Sequence, residues 1–324
     1  GSNDWATANR LFGLLVLFSY LFSGAALTRL LGGDFCDKWG KTGAIVTALT
    51  ALTQLSLVGP LGKFGETYFN WTAGISGFYQ DRNALSLLTL VFMSTILFSG
   101  KSVSTAGKKS FVCLYILLSV LGYSIVFSGS RSGMLGLVVI LVFAFLRNRP
   151  LASYITGTIA LISVISKWMQ DFLVSVGEVN TSNIPLSFMG GRPSIAQTVT
   201  INQPRMDSWI SALKAFADHP ILGNGLGAIL ERNPDVVHNV FLWVAAEMGL
   251  VGLLLLAPLP VIMGKEVLRN GLSKMSTNSY FLLCLGMVFG GYSLVQDISY
   301  QRIVWLMIGL LMAAPSIKAT ADGR

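Results

Sequence analysis

Apolar residues in this chain do not alternate with polar ones; they run on for most of a bilayer's thickness and stop at short polar connectors. Nine such runs stand out, at 10–31, 42–60, 83–99, 110–127, 132–146, 151–172, 239–263, 278–294 and 302–316. Crossing hydrocarbon as a helix takes about 20 apolar residues, and several of the runs approach or exceed that length. One long polar insertion interrupts them. The pattern predicts an all-α, polytopic integral membrane bundle, with N-terminal transmembrane helices over 3–172, a large, partly helical loop over 173–237 and C-terminal transmembrane helices over 238–317.

Composition supports the same class: 53% of residues are hydrophobic and 12% charged, and mean hydropathy is +0.65, far from a soluble domain. The formal charge of +8 is accounted for by topology. Lys and Arg concentrate in "KSVSTAGKK" (101–109), "RNRP" (147–150), "GKEVLRNGLSK" (264–274) and the C-terminal "KATADGR". All four fall on one side of the alternation, which the positive-inside rule makes the cytoplasm. No nucleic-acid partner is implied. The insertion then faces outward, as do the first residues. Gly1-Ser2 reads as the remnant of a cleaved tag, and an odd number of helices is expected ahead of residue 3. Cys36, Cys113 and Cys284 are too widely spaced for a disulfide framework, and the two histidines show no His-x-x-x-His spacing, so no bound metal or cofactor is expected.

The polar residues left near the outer ends of the spans carry the chemistry. Arg82 precedes an apolar run that spans roughly 24 Å as a helix, short of the ~30 Å of hydrocarbon. It belongs at the outer headgroup level, where Asp81 can neutralise it. Arg131 sits in a tight outer hairpin, "VFSGSRSGMLGL", built from Ser and Gly. It either snorkels to lipid phosphate and loop carbonyls or clamps an anionic substrate. Within the insertion, 175–203 reads as irregular. "PRMDSWISALKAFADHP" (204–220) reads as an amphipathic helix, with Pro204 at its start and a stripe of Trp209, Leu213 and Phe216. Arg205 opens this helix, either solvated or directed to the interface. The glycines of "HPILGNGLGA" (219–228) read as a turn back to the membrane and not as a phosphate loop, since no strand precedes them and no Lys-Ser/Thr follows; His219 is read as structural.

His238 and Asn239 precede the run that starts at Val240. An imidazole titrates near neutrality, and a helix N-terminus disfavours its charged form, so His238 is either a general base or a hydrogen-bonded interfacial residue. Glu247 lies deep in the same run and is expected to pack against a polar group on a neighbouring helix. A lone buried Glu without a relay argues against a proton-driven transporter.

"GFYQDRNALSLL" (77–88), "SGSRSGMLGL" (128–137), "RMDSWISALKAFADHPILGNGLGA" (205–228) and "HNVFLWVAAEMGLVG" (238–252) together resemble the bacterial O-antigen ligase and O-antigen polymerase superfamily. The resemblance covers about residues 74–312. It implies about twelve spans in a full chain, a large periplasmic loop, a place in the inner membrane and a metal-independent glycosyltransferase. The donor would be a glycan on undecaprenyl pyrophosphate, and the acceptor either the lipid A core, as in a ligase, or a growing glycan, as in a polymerase. By the same resemblance His238, Arg131 and Arg205 would be catalytic, and Arg82, Arg302 and Asn239 would bind substrate. A transporter or flippase of lipid-linked sugars would use the same arginines but has no evident need of His238.

Overall fold

The computed structural model describes residues 2–31, 34–57, 82–98, 108–128, 130–147, 149–175, 195–229, 237–275, 277–296, 298 and 301–310. All regular structure among them is helical, in keeping with the all-α expectation. In chain order the helices are α1 (Ser2–Leu31), α2 (Asp34–Leu57), α3 (Arg82–Phe98), α4 (Lys108–Phe127), α5 (Arg131–Arg147), α6 (Arg149–Ser175), α7 (Ile195–Asp218), α8 (Val240–Leu256), α9 (Pro258–Lys274) and α10 (Thr277–Val295), followed by α11 (302–310). Among the described residues, Arg10–Leu31 is long and apolar enough to cross a membrane by itself, while the other apolar helical stretches are 10–17 residues long.

Two compact units divide the chain, Cys36–Arg192 and the combination of Gly1–Phe35 with Pro193–Arg324. In the first, α3 is enclosed on every side. Leu85, Leu87, Leu90, Val91, Met93 and Ile96 are buried, and so are Ser86, Thr89 and Thr95. The threonines avoid an unpaired hydroxyl by bonding back one turn, Thr89 to the Leu85 carbonyl and Thr95 to that of Val91, both at 2.8 Å. α2 meets α3 through a face of small residues. A methyl group on Gly40 would lie 2.3 Å from Thr95 Cγ2 and one on Gly43 2.2 Å from the Phe92 ring. Ala44, Ala48 and Ala51 continue the face, buried, and small residues at this spacing are what allow two apolar helices to pack closely. The opposite face of α2, with Ile45, Val46, Leu49 and Leu52, is exposed.

In the second unit α1 crosses α11 with equal closeness. A Cβ on Gly24 would come within 2.3 Å of the Leu306 carbonyl oxygen, and one on Gly309 within 2.0 Å of that of Leu21. Thr28 ties the pair by donating to the Leu310 carbonyl at 3.1 Å.

Two expectations need correction. The run 239–263 is not one span: it divides into α8 and α9 at Ala257-Pro258, and α8 is itself interrupted at Gly249, whose φ of 64° and ψ of −155° are not helical. The loop after α7 fills the interruption. Asn224 N–H donates to the Ala246 carbonyl and Gly225 N–H to that of Glu247, both at 3.0 Å; in return the N–H groups of Leu250 and Val251 donate to the carbonyls of Pro220 and Ile221, at 2.9 and 3.2 Å. Backbone groups freed by the break thus regain partners, without which each would cost a few kcal/mol in an apolar setting. Secondly, α7 starts at Ile195, nine residues before Pro204, so 195–203 is helical and Pro204 lies inside the helix. An interior proline costs about 3 kcal/mol through its lost N–H and its clash with the carbonyl one turn earlier; the nine residues before it, 195–203, contain neither Gly nor Pro and are themselves compatible with a helix. Residues 176–194, the remainder of the stretch read as irregular, and 311–316, the end of the last run, lie outside the described residues.

Gly249 needs both its positive φ and its bare Cα, since a Cβ would sit 2.4 Å from the Ile221 carbonyl oxygen. Gly264, on α9, has nothing within 4 Å of the same position. Thermal unfolding in detergent should therefore separate Gly249→Ala, destabilised by at least ~2 kcal/mol, from Gly264→Ala, which should match the wild type or exceed its stability by up to ~1 kcal/mol. Equal midpoints for the two variants would contradict the interrupted helix.

Candidate functional site

In the unit formed by Cys36–Arg192, a cluster of serines holds the hairpin before α5. Ser130 caps the helix: its Oγ accepts from Gly133 N–H at 3.0 Å and its carbonyl from Met134 N–H at 2.9 Å. The same hydroxyl donates to Asn83 Oδ1 at 2.7 Å. Ser128 Oγ lies 2.9 Å from Ser86 Oγ and accepts from Ser130 N–H at 3.2 Å. Ser86, Ser128, Ser130 and Ser132 are all buried, and Gly133 makes room for them, since a Cβ there would meet Ser86 Cβ at 2.6 Å. These bonds seat the first turn of α5 beside that of α3.

Arg131 is the exception in this hairpin, being exposed while Ser130, Ser132 and Gly133 on either side are buried. Among the described residues none forms an ion pair or hydrogen bond with it. A cation at the first helical residue works against the helix dipole by about 0.3–1 kcal/mol. An anion bound there would reverse the sign, meeting the guanidinium and the positive end of the helix dipole. Arg82 is the first residue of α3, next to Asn83 and hence beside this hairpin; its side chain lies outside the described residues.

The other unit carries the remaining expected residues. His238 is half-buried, between buried Val237 and Asn239, just ahead of α8. Asn239 has an extended backbone and caps α8, its Oδ1 accepting from Leu242 N–H at 3.0 Å. Its Nδ2 donates to the Leu294 carbonyl, also at 3.0 Å. Both ends of the amide are thus occupied in fixing the entry to α8 against the end of α10, and cap formation is the role the structure shows for it. Arg302 opens α11, exposed, with its guanidinium 5.9 Å from the Tyr20 ring centroid, a cation–π distance. Arg205 lies on α7, and its side chain is outside the described residues.

Glu247 has the polar neighbour on another helix that its depth called for. Arg10 of α1 brings Nη2 to 3.9 Å from Glu247 Oε1, with both side chains buried. The guanidinium also lies 5.1 Å from the Trp243 ring. Thr7, one turn before Arg10, donates to the Leu226 carbonyl at 3.0 Å. Arg10 was not singled out from the sequence, because an arginine at the first position of the apolar run 10–31 reads as its interfacial end. His219, expected to be structural, is exposed, and its N–H donates to the Ala215 carbonyl at 3.4 Å.

Arg82 and Arg131 therefore belong to one unit, and Arg205, His238, Asn239 and Arg302 to the other. Exposed guanidinium groups at helix starts and an imidazole at a helix entry are chemistry for an anionic group and a proton. The family model that matches this chain is described as O-antigen ligase, over residues 114–257. No curated protein sequence matches the chain. The matched segment runs from α4 through α8 and takes in the serine hairpin, α7 and the interrupted helix; over that stretch the chain is similar to the O-antigen ligase family.

Proposed function

We propose that this protein is a polytopic inner-membrane glycosyltransferase that moves a glycan from undecaprenyl pyrophosphate to a sugar hydroxyl at the periplasmic face. Ligation of O-antigen to the lipid A core is the favoured reaction, ahead of polymerisation onto a second carrier-linked glycan. What carries the reading is that the O-antigen ligase segment spans Arg131, Arg205 and His238 together. The outward apolar faces support a lipid surround. On α1 they include Leu11, Phe12, Leu15 and Phe22, and on α8 Leu254 and Leu255, all exposed. A face of that kind in water would be an aggregation site.

In this account the acceptor oxygen attacks the anomeric carbon while His238 takes its proton. The carbon–oxygen bond to the pyrophosphate breaks, and the departing group keeps the electron pair. Negative charge grows on the leaving phosphate as it goes. Arg131 and Arg205 meet that charge, each with a planar fork that can bind two phosphate oxygens. At a low-dielectric interface such pairs count for more than in water. Arg82 and Arg302 hold the donor and acceptor in place.

Two outcomes are expected when purified protein is supplied with undecaprenyl-pyrophosphate glycan and a lipid A core acceptor. His238→Ala should lower kcat by about 10² to 10⁴, the usual worth of a general base, with donor binding retained; a variant that still transfers at more than a tenth of the wild-type rate would contradict the assignment. Arg131→Lys, which keeps the charge but loses the paired geometry, should lower kcat/KM for the donor by about tenfold or more. Wild-type kcat/KM in Arg131→Lys would show that no bidentate clamp operates at this position.

A further inference from the structure

Asn224, in the loop that fills the break in α8, is bonded to two helices at once. Its Nδ2 donates to the Ala215 carbonyl on α7 at 2.5 Å and to the Ala246 carbonyl on α8 at 3.1 Å. Its backbone N–H donates to Ala246 as well, at 3.0 Å. In an unbroken helix the Ala246 carbonyl would receive Leu250 N–H, but that group is turned to Pro220. Asn224 stands in for it. The other orientation of the amide would set its oxygen against two carbonyl oxygens, so chemistry selects the NH2 group for this place. Among ordinary side chains of this length only asparagine offers two neutral donors from one atom.

Neither Asn224 nor the loop is assigned a role by the family match or by the reaction above. We infer that Asn224 is a positioning residue for glycan transfer: it locks α7, which carries Arg205, onto α8, whose entry carries His238. The inference rests on the function proposed above. Ser208, Ala212 and Ala215 are buried along one face of α7, so the side chains that seat it are small, and the Asn224 amide adds a polar tie near its C-terminal end. Arg205 lies ten residues up the helix from Ala215, about 15 Å away along the axis. A swing of about 5° about the Ala215 end would move Arg205 by roughly 1.3 Å over that length, and a displacement of about 1 Å is enough to cost up to ~10²-fold in rate. The loop is held in turn by glycines: Gly223, with a φ of 72°, has no room for a Cβ, which would lie 2.3 Å from the Glu247 backbone.

The test is a double-mutant cycle on purified protein, combining Asn224→Ala with Arg205→Lys. Transfer is read as released undecaprenyl pyrophosphate per folded molecule, the folded fraction being taken from size-exclusion chromatography in detergent. Asn224→Ala alone should lower kcat/KM for the donor by roughly tenfold to a hundredfold. In the Arg205→Lys background the same change should cost at least threefold less, because Asn224 acts through the placing of the Arg205 guanidinium fork, which lysine lacks. Asn224→Ser, whose hydroxyl donates to one carbonyl only, should fall between wild type and Asn224→Ala and serves as the partner in the cycle if the alanine variant does not fold. Multiplicative effects in folded protein, or wild-type kcat/KM in either Asn224 variant, would overturn the inference. If instead His238→Ala transfers normally, the function proposed above fails; with His238→Ala inactive and the Asn224 variants normal, the positioning role fails alone.

Discussion

Backbone satisfaction at the break in α8 is the constraint on which the rest of the second unit depends. A helix interrupted among apolar side chains exposes carbonyl and N–H groups that no lipid or aliphatic neighbour can bond. Here the loop after α7 answers them one by one, carbonyl of Pro220 to Leu250 and N–H of Gly225 to Glu247. Because that loop begins where α7 ends, satisfying the break also fixes where α7 docks. The buried pair of Arg10 and Glu247 adds α1 to the same junction. A charge pair of this kind is costly to bury and contributes less to stability than to a unique arrangement, which fits its place beside a loop that must sit in one register.

The other unit solves a related problem with side chains in place of backbone. Four buried serines and Asn83 satisfy one another around a helix start, so the hairpin can be tight and dry while a single arginine faces out of it. An arginine set on a rigid first turn has its backbone already placed when it meets a phosphate, so only side-chain freedom is left to lose. Arg131 in one unit and His238 in the other stand at helix entries, and the residues beside them, Ser130 and Asn239, are the caps that hold those entries still.

Much of this was legible in the sequence. Apolar runs marked most of the helices, since 3.6-residue periodicity hardly matters when a helix is apolar on most faces and length alone marks it; they did not mark the division of α8 from α9 or the first nine residues of α7. Ser and Gly around Arg131 announced a tight hairpin. What remained hidden was tertiary. The run through Met248, Gly249 and Leu250 has no polar residue to mark its break, and one glycine inside a helical pattern is ordinarily tolerated. Only the match between the positive-φ glycines of the 219–228 loop and Gly249 shows the interruption, and that match lies between segments more than twenty residues apart. Pro204 misled for a local reason, because its preference for a first turn outweighed the helix-compatible residues before it. Arg10 and Asn224 act through partners far along the chain, so periodicity could not single them out.

The central claim is that bonds are broken and made at the carrier pyrophosphate by this protein. Its most direct measurement is the fate of the carrier when wild-type protein in liposomes, with chelator present, is given undecaprenyl-pyrophosphate glycan and lipid A core. The account requires one undecaprenyl pyrophosphate freed for each glycan joined to the core. Glycan that crosses the bilayer still attached to its carrier, with no joined product, would contradict it.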